Sequence, residues 1–316
     1  MPDKIAIIGA GLVGRAWAIS YARGGYRVAL FDADAEGVGR AVETVRGLLT
    51  ELEARDLLRG QSATDVAARL EPVPTLAEAV ADAIHVQENV PERLETKVAV
   101  FEALDAAAPP EVTLASSTSA LLPSSFTEGL AHRERCLVVH PINPPYLVPA
   151  VELVPAPWTD PAVMARTRAL VEGIGQAPIE MSRELEGFVM NRMQAALLHE
   201  AFRLVADGYA TTADVDNGIA KGLGLRWSFM GPFETIDLNA PGGVRDYAAR
   251  YETLCQNIAR EQRETRAWSG PLMDTVETQR TATLPRDGLA ERQAWRDRRL
   301  MALAVHKSEM DTDIGT

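Results

Sequence analysis

Three observations predict the fold class. Short apolar runs alternate with helical patterns over the first half of the chain, a glycine-spaced turn follows the first run, and long helical patterns take over after Glu184. The chain therefore reads as an α/β protein: a Rossmann-type, doubly wound, mostly parallel sheet over residues 1–185, followed by an all-helical C-terminal domain over 186–316. The 316 residues are enough for two domains, and 47% hydrophobic with 24% charged residues is ordinary globular composition.

Strands are predicted at 5–8, 28–31, 84–86, 112–115, 137–140, 151–154 and 178–181, where apolar runs have strand length. The segments between them carry helical patterns, notably 12–24 and 92–107. In the second half, 187–207 holds Phe188, Val189, Met193, Ala196, Leu197, Phe202 and Val205 at helical spacing and stops at Gly208. Thr211-Thr-Ala-Asp214 then looks like a helix start with a capping acid.

Charge and composition exclude several classes. A net charge of −12 supplies no basic stripe for nucleic acid and no attraction to anionic membrane. The apolar run before Gly9 is too short for a signal peptide, and no apolar stretch approaches the ~18 residues of a bilayer span, so a cytoplasmic protein is expected. Two cysteines, Cys136 and Cys255, are too few for a disulfide framework and read as buried small hydrophobes.

The turn Gly9-Ala10-Gly11-Leu12-Val13-Gly14 follows the first predicted strand and opens a helix. Gly9 permits the tight turn, Gly11 lets a pyrophosphate approach the backbone, and Gly14 lets helix and sheet pack closely. The N–H groups of Leu12 and Val13 point at the phosphates. Spaced glycines alone are weak, because turns use glycine for steric reasons. Here the second strand ends in Asp32, whose carboxylate would accept the adenosine ribose hydroxyls and repel a 2′-phosphate. No arginine directly follows it, which favours NAD over NADP.

His140 ends the strand at 137–140, at the carboxyl edge where open α/β sheets carry ligands, and Glu152 lies in the next apolar run. Alcohol oxidation needs a base for the hydroxyl proton while hydride leaves for nicotinamide. Histidine suits that task near neutral pH, and a paired carboxylate would fix its tautomer. The residues alone leave a second reading open, in which His140 is a satisfied polar side chain and Glu152 a surface acid. The other histidines, His85, His132, His199 and His306, lack ligand spacing, so no metal is expected.

Taken together, these motifs resemble the 3-hydroxyacyl-CoA dehydrogenase superfamily over nearly the full length. The family's H-x-x-N-P…E block matches His140, Asn143, Pro144 and Glu152, and its Ser/Thr-rich turn matches Ser116-Ser-Thr-Ser119. Its G-F-x-x-N-R block matches Gly187-Phe-Val-Met-Asn191-Arg192, and its G-P-F/L-E block matches Gly231-Pro-Phe-Glu234. Asn143-Pro-Pro-Tyr146, Gly222-Leu-Gly-Leu-Arg226-Trp and Arg292-Gln-Ala-Trp-Arg296 resemble the λ-crystallin, or L-gulonate 3-dehydrogenase, branch.

The resemblance implies NAD-dependent oxidation of a secondary alcohol to a ketone, with His140 as general base and Glu152 as its orienting partner. It implies that Ser119 and Asn191 hydrogen-bond the reacting oxygen and that Asn143 helps bind and order the substrate. The family's cofactor-touching E-x-x-x-x-K pair falls on Glu92 and Lys97, which could equally be one exposed helix face. A homodimer through the helical domain is expected.

Two enzymatic readings remain, a small free 3-hydroxy acid or an acyl-CoA thioester. Acyl-CoA members carry basic and hydroxyl residues after the second strand. This chain has no lysine between Lys4 and Lys97, and its segment 36–56 sets Glu36, Glu43, Glu51, Glu53 and Asp56 against Arg40, Arg46 and Arg55. Arg226 falls where the λ-crystallin branch has a substrate-site arginine, and a guanidinium clamps a free carboxylate bidentately. L-Gulonate is the leading expectation. The reading of another class is a non-catalytic, crystallin-like structural protein, against which intact Ser119, His140, Glu152 and Asn191 argue.

Overall fold

A computed structural model describes residues 2–315. The order along the chain is β1 (Lys4–Ile8), α1 (Leu12–Arg23), β2 (Arg27–Phe31), α2 (Ala35–Glu53), α3 (Ala63–Ala67), β3 (Leu70–Pro72), α4 (Leu76–Val80), β4 (Ala83–Glu88), α5 (Leu94–Ala107), β5 (Thr113–Ser116), α6 (Ser124–Thr127), β6 (Cys136–Pro141), β7 (Ala150–Pro155), α7 (Pro161–Gly173) and β8 (Ala177–Glu180). Helices then follow: α8 (Met190–Ala206), α9 (Thr212–Gly218), α10 (Gly224–Trp227), α11 (Pro232–Leu238), α12 (Gly243–Glu261), α13 (Pro271–Thr283) and α14 (Leu289–Asp313).

The strands form one sheet in the order β3-β2-β1-β4-β5-β6-β7-β8. Every pairing is parallel except β6 with β7. That exception follows from chain length. The link 142–149 is too short and too proline-rich to carry a helical crossover, so the chain turns back on itself. Successive strand residues bury on opposite faces: Ile5, Ile7, Val28, Leu30, Leu137 and Val139 join one apolar core. Ala6, Ile8, Ala29, Cys136 and Val138 join the other. Apolar burial on both faces is what near-continuous hydrophobic strands require.

All seven strands read from the sequence are present, and β3 is added to them at the sheet edge. Leu70-Glu-Pro72 is too short for alternation to show, and its proline is tolerated only because the strand is terminal. Helix α8 starts at Met190 rather than 187, because Gly187 and Phe188 both take positive φ, 78° and 50°. Thr211 and Asp214 form the expected reciprocal cap on α9.

Two compact units emerge, one running to Asn191 and including Arg296–Asp313, the other Arg192–Trp295. The division differs from a helical domain filling 186–316. The last helix from Arg296 onward belongs to the first unit, where Met301 is buried in the sheet's apolar core. The expected burial of both cysteines is corrected too: Cys136 is buried in β6, whereas Cys255 is exposed on α12. Among the described residues no helix is long and apolar enough to cross a membrane, and no group of three or more His, Cys, Asp or Glu side chains could hold a metal ion.

Candidate active site

The glycine turn is built as dinucleotide binding requires. Gly9 sits at φ +93°, and a Cβ there would lie 2.8 Å from the Asn89 backbone. A Cβ on Gly14 would collide with the Gly9 carbonyl oxygen, so α1 can pack this closely only with glycine. Gly11 is different: a Cβ would meet nothing within 4 Å. That open space faces the start of α1, which has no side-chain cap and no acid in its first turn. Uncapped N–H groups and the helix dipole make such a spot favourable to an anion.

Asp32 follows β2 and is half-buried. Its Oδ2 accepts from Ala10 N at 2.7 Å and its Oδ1 from Asp34 N at 3.0 Å. The carboxylate is thereby held beside the glycine turn with lone pairs to spare for ribose hydroxyls. Arg40 offers no free cation nearby, since Asp34 and Glu36 engage it. These residues fit NAD: Gly9, Gly11, Gly14, Leu12 and Val13 for the pyrophosphate, and Asp32 for the adenosine ribose.

Strand β4, which pairs with β1, contributes a residue that the sequence analysis did not single out. Glu88, the last residue of β4, is fully buried, and Lys97 Nζ lies 3.0 Å from both of its carboxylate oxygens. Ser116 Oγ donates to it at 2.6 Å and Val90 N at 2.5 Å. Burial pushes the Glu88 carboxyl up, with the Lys97 charge and these donors acting against it. The carboxylate closing an apolar strand at the ligand edge was the available signal. Glu92 and Lys97 are therefore not an ion pair. Lys97 turns inward, while Glu92 Oε1 accepts the Thr118 hydroxyl and, at 3.2 Å, the Ala120 N–H.

Those two contacts flank Ser119, which lies exposed just beyond β5. Asn191 Nδ2 donates to the Ser119 carbonyl at 2.7 Å, so the two residues expected at the reacting oxygen are brought together. Strand β6 runs parallel beside β5, with Ser116 opposite Val138, and His140 lies two positions further toward the same edge.

His140 and Glu152 are cross-strand neighbours in the antiparallel β6–β7 pair. His140 Nδ1 is 2.6 Å from Glu152 Oε2. Glu152 is fully buried and His140 is 7% exposed. Glu152 Oε1 accepts the N–H groups of Val189 and Met190, at 2.6 and 2.8 Å. His140 Nε2 makes no hydrogen bond among the described residues. A carboxylate on Nδ1 fixes the proton there and leaves Nε2 as the acceptor. Asn143 follows on the β6–β7 link, and its Oδ1 is buried with no protein donor among the described residues.

Arg226 lies on α10 of the second unit. A π-helical turn, Ile219–Leu223, precedes it, and a Cβ on Gly224 would lie 2.8 Å from the Ile219 carbonyl oxygen. Such turns recur at functional positions. Arg226 is exposed, and its guanidinium makes no ion pair or hydrogen bond among the described residues. His199 packs against Trp268, with ring centroids 5.3 Å apart, and Glu200 holds Arg203.

A dinucleotide turn on a doubly wound sheet, with a histidine–carboxylate pair at the same sheet edge, defines an NAD-dependent dehydrogenase. Comparison with known proteins agrees. The 3-hydroxyacyl-CoA dehydrogenase NAD-binding domain matches residues 4–185 and the family's C-terminal domain matches 187–269. The chain belongs to the 3-hydroxyacyl-CoA dehydrogenase family. It is 41% identical to λ-crystallin of Oryctolagus cuniculus over 97% of both chains. It is 38% identical to L-carnitine dehydrogenase of Pseudomonas putida, over 78% of this chain and 76% of the relative. Among solved structures, the NAD+-dependent 5-formyl-3-hydroxy-2-methylpyridine 4-carboxylic acid 5-dehydrogenase superposes with a TM-score of 0.81 at 26% identity, covering 96% of this chain and 97% of that one.

Proposed function

We propose that this enzyme oxidises the 3-hydroxyl of a small free 3-hydroxy acid to the ketone, with L-gulonate, giving 3-dehydro-L-gulonate, as the leading substrate. The observation that carries the reading is the His140–Glu152 pair, with Nδ1 held at 2.6 Å and Nε2 left without a partner among the described residues. Bound NAD+ supplies the hydride acceptor. His140 Nε2 takes the hydroxyl proton as the carbon–hydrogen bond breaks, and Glu152 stabilises the imidazolium that results. The Ser119 hydroxyl and the second N–H of the Asn191 amide hold the reacting oxygen. Asn143 Oδ1, a buried acceptor without a donor among the described residues, is suited to a substrate hydroxyl.

Two further observations favour a free acid over a CoA thioester. The arginines of α2 are already engaged, Arg40 by Asp34 and Glu36 and Arg46 by Glu43, while Arg55 donates to the Glu51 carbonyl. They leave little for a polyphosphate. Arg226, by contrast, is unpaired among the described residues and is assigned to the substrate carboxylate. L-Carnitine, named for the Pseudomonas putida relative, is itself a free 3-hydroxy acid.

The helical unit is assigned to substrate binding and homodimerisation. Its longest helix, α12, leaves Val244, Tyr251, Leu254 and Ile258 exposed along one face, a pattern that a second copy would cover. The reaction is checked by incubating the enzyme with NAD+ and L-gulonate and following carbon NMR. A new ketone at C3, formed in step with NADH, is the expected result. A ketone at any other carbon, or no NADH, would refute the assignment to L-gulonate.

A further inference from the structure

The block Gly187-Phe188-Val189-Met190-Asn191-Arg192 gives Asn191 to the site, yet its phenylalanine has the most unusual backbone. Phe188 sits at φ +50°, in the left-handed region that bulky side chains avoid unless their surroundings hold them there. Its side chain is fully buried in one of the sheet's two apolar cores. Its ring also lies against the catalytic histidine, with centroids 5.6 Å apart and planes inclined by 58°. The two amides that follow it, Val189 and Met190, both donate to Glu152 Oε1.

We propose that Phe188 is a positioning residue for the His140–Glu152 pair. Its left-handed turn aims two backbone amides at Glu152, and its ring closes one side of the His140 imidazole. This rests on the reading of His140 as the base. The turn and the ring do different things. With the amides on one carboxylate oxygen and His140 Nδ1 on the other, Glu152 has three partners and one orientation. With the ring against it, the imidazole cannot tip, and Nε2 keeps its direction toward the substrate. Core packing alone does not call for this backbone. An aromatic side chain fills apolar space equally well from an unstrained residue, whereas only this turn combines the ring's position with both donated amides.

Two variants separate the parts. Phe188→Gly keeps the left-handed turn without strain and loses the ring. Phe188→Leu keeps apolar bulk and loses the flat face. Amide exchange at Val189 and Met190 reports the turn. The low-field proton resonance of His140 Nδ1–H, assigned by its absence in His140→Gln, reports the pair. In Phe188→Gly the two amides should remain slow to exchange, while the Nδ1–H resonance broadens through solvent exchange. Turnover of the fastest free 3-hydroxy acid should fall about 10- to 100-fold in kcat, with KM and NADH affinity within about twofold of wild type. Phe188→Leu should show the same kcat loss at its smaller end. Wild-type kcat with an unchanged Nδ1–H resonance in either folded variant overturns the proposal. If Phe188→Gly does not fold, Phe188→Leu decides alone. Turnover that survives in His140→Gln overturns instead the assignment of the base on which the proposal rests.

Discussion

His140→Gln should stop turnover while leaving NADH bound. Glutamine is close enough in reach for its amide to donate to Glu152 Oε2, so that oxygen of the buried carboxylate keeps a partner, which truncation to alanine would remove. What the variant lacks is a nitrogen that can accept a proton where Nε2 stands. General-base contributions are typically ~10²–10⁴-fold, and the loss should fall on kcat because the base acts only as the hydroxyl proton departs. The glycine turn and Asp32 are untouched, so the NADH dissociation constant, measured by fluorescence titration, should stay near the wild-type value. Near-normal kcat in His140→Gln would move proton abstraction to another group and leave the β6–β7 pair a structural ion pair.

Arg226→Met should separate charged from uncharged substrates. Methionine keeps an unbranched, apolar stem of similar length and removes the guanidinium. Arg226 is exposed in the protein alone, so the contact gains its strength only where bound substrate shields it from water; loss of a charge-assisted bidentate contact so shielded costs about 2–5 kcal/mol. The kcat/KM for a free 3-hydroxy acid should therefore drop by roughly 30-fold or more. A 3-hydroxy ester has no carboxylate to clamp, and its kcat/KM should change much less. Steady-state rates on the acid and its methyl ester, with both enzymes, make the comparison. Equal losses on the two would return Arg226 to a structural part in the turn that follows the π-helical segment.

Much of this could be read from the residues before the fold was known, because periodicity and glycine placement are local properties. The glycine turn was legible because local sterics decide it: a Cβ on Gly14 would meet the Gly9 backbone, and one on Gly9 the Asn89 backbone. The dyad was half legible. His140 and Glu152 were singled out, but their contact depends on β7 running antiparallel to β6, which only the short link between them dictates. Edge strand β3 offered three residues and a proline, too little for any period to show. The alternative of one exposed helix face for Glu92 and Lys97 fails because Lys97 is buried, its charge met by the Glu88 carboxylate at the end of β4, which spacing along the chain does not reveal. Phe188 looked like one more apolar position of a helix, and nothing in an apolar pattern announces a left-handed backbone. Cys255 was misplaced for a related reason: its helix is amphipathic, and cysteine type alone does not say which face it occupies.

The central claim, that this site takes a free 3-hydroxy acid rather than a CoA thioester, is tested most directly by one panel of initial rates. NADH formation is followed with L-gulonate, L-carnitine, 3-hydroxybutyrate and 3-hydroxybutyryl-CoA under the same conditions. The account predicts that L-gulonate has the highest kcat/KM and exceeds the thioester by about tenfold or more, the discrimination that about 1.4 kcal/mol or more of differential transition-state binding gives. A higher kcat/KM for 3-hydroxybutyryl-CoA than for every free acid would contradict it.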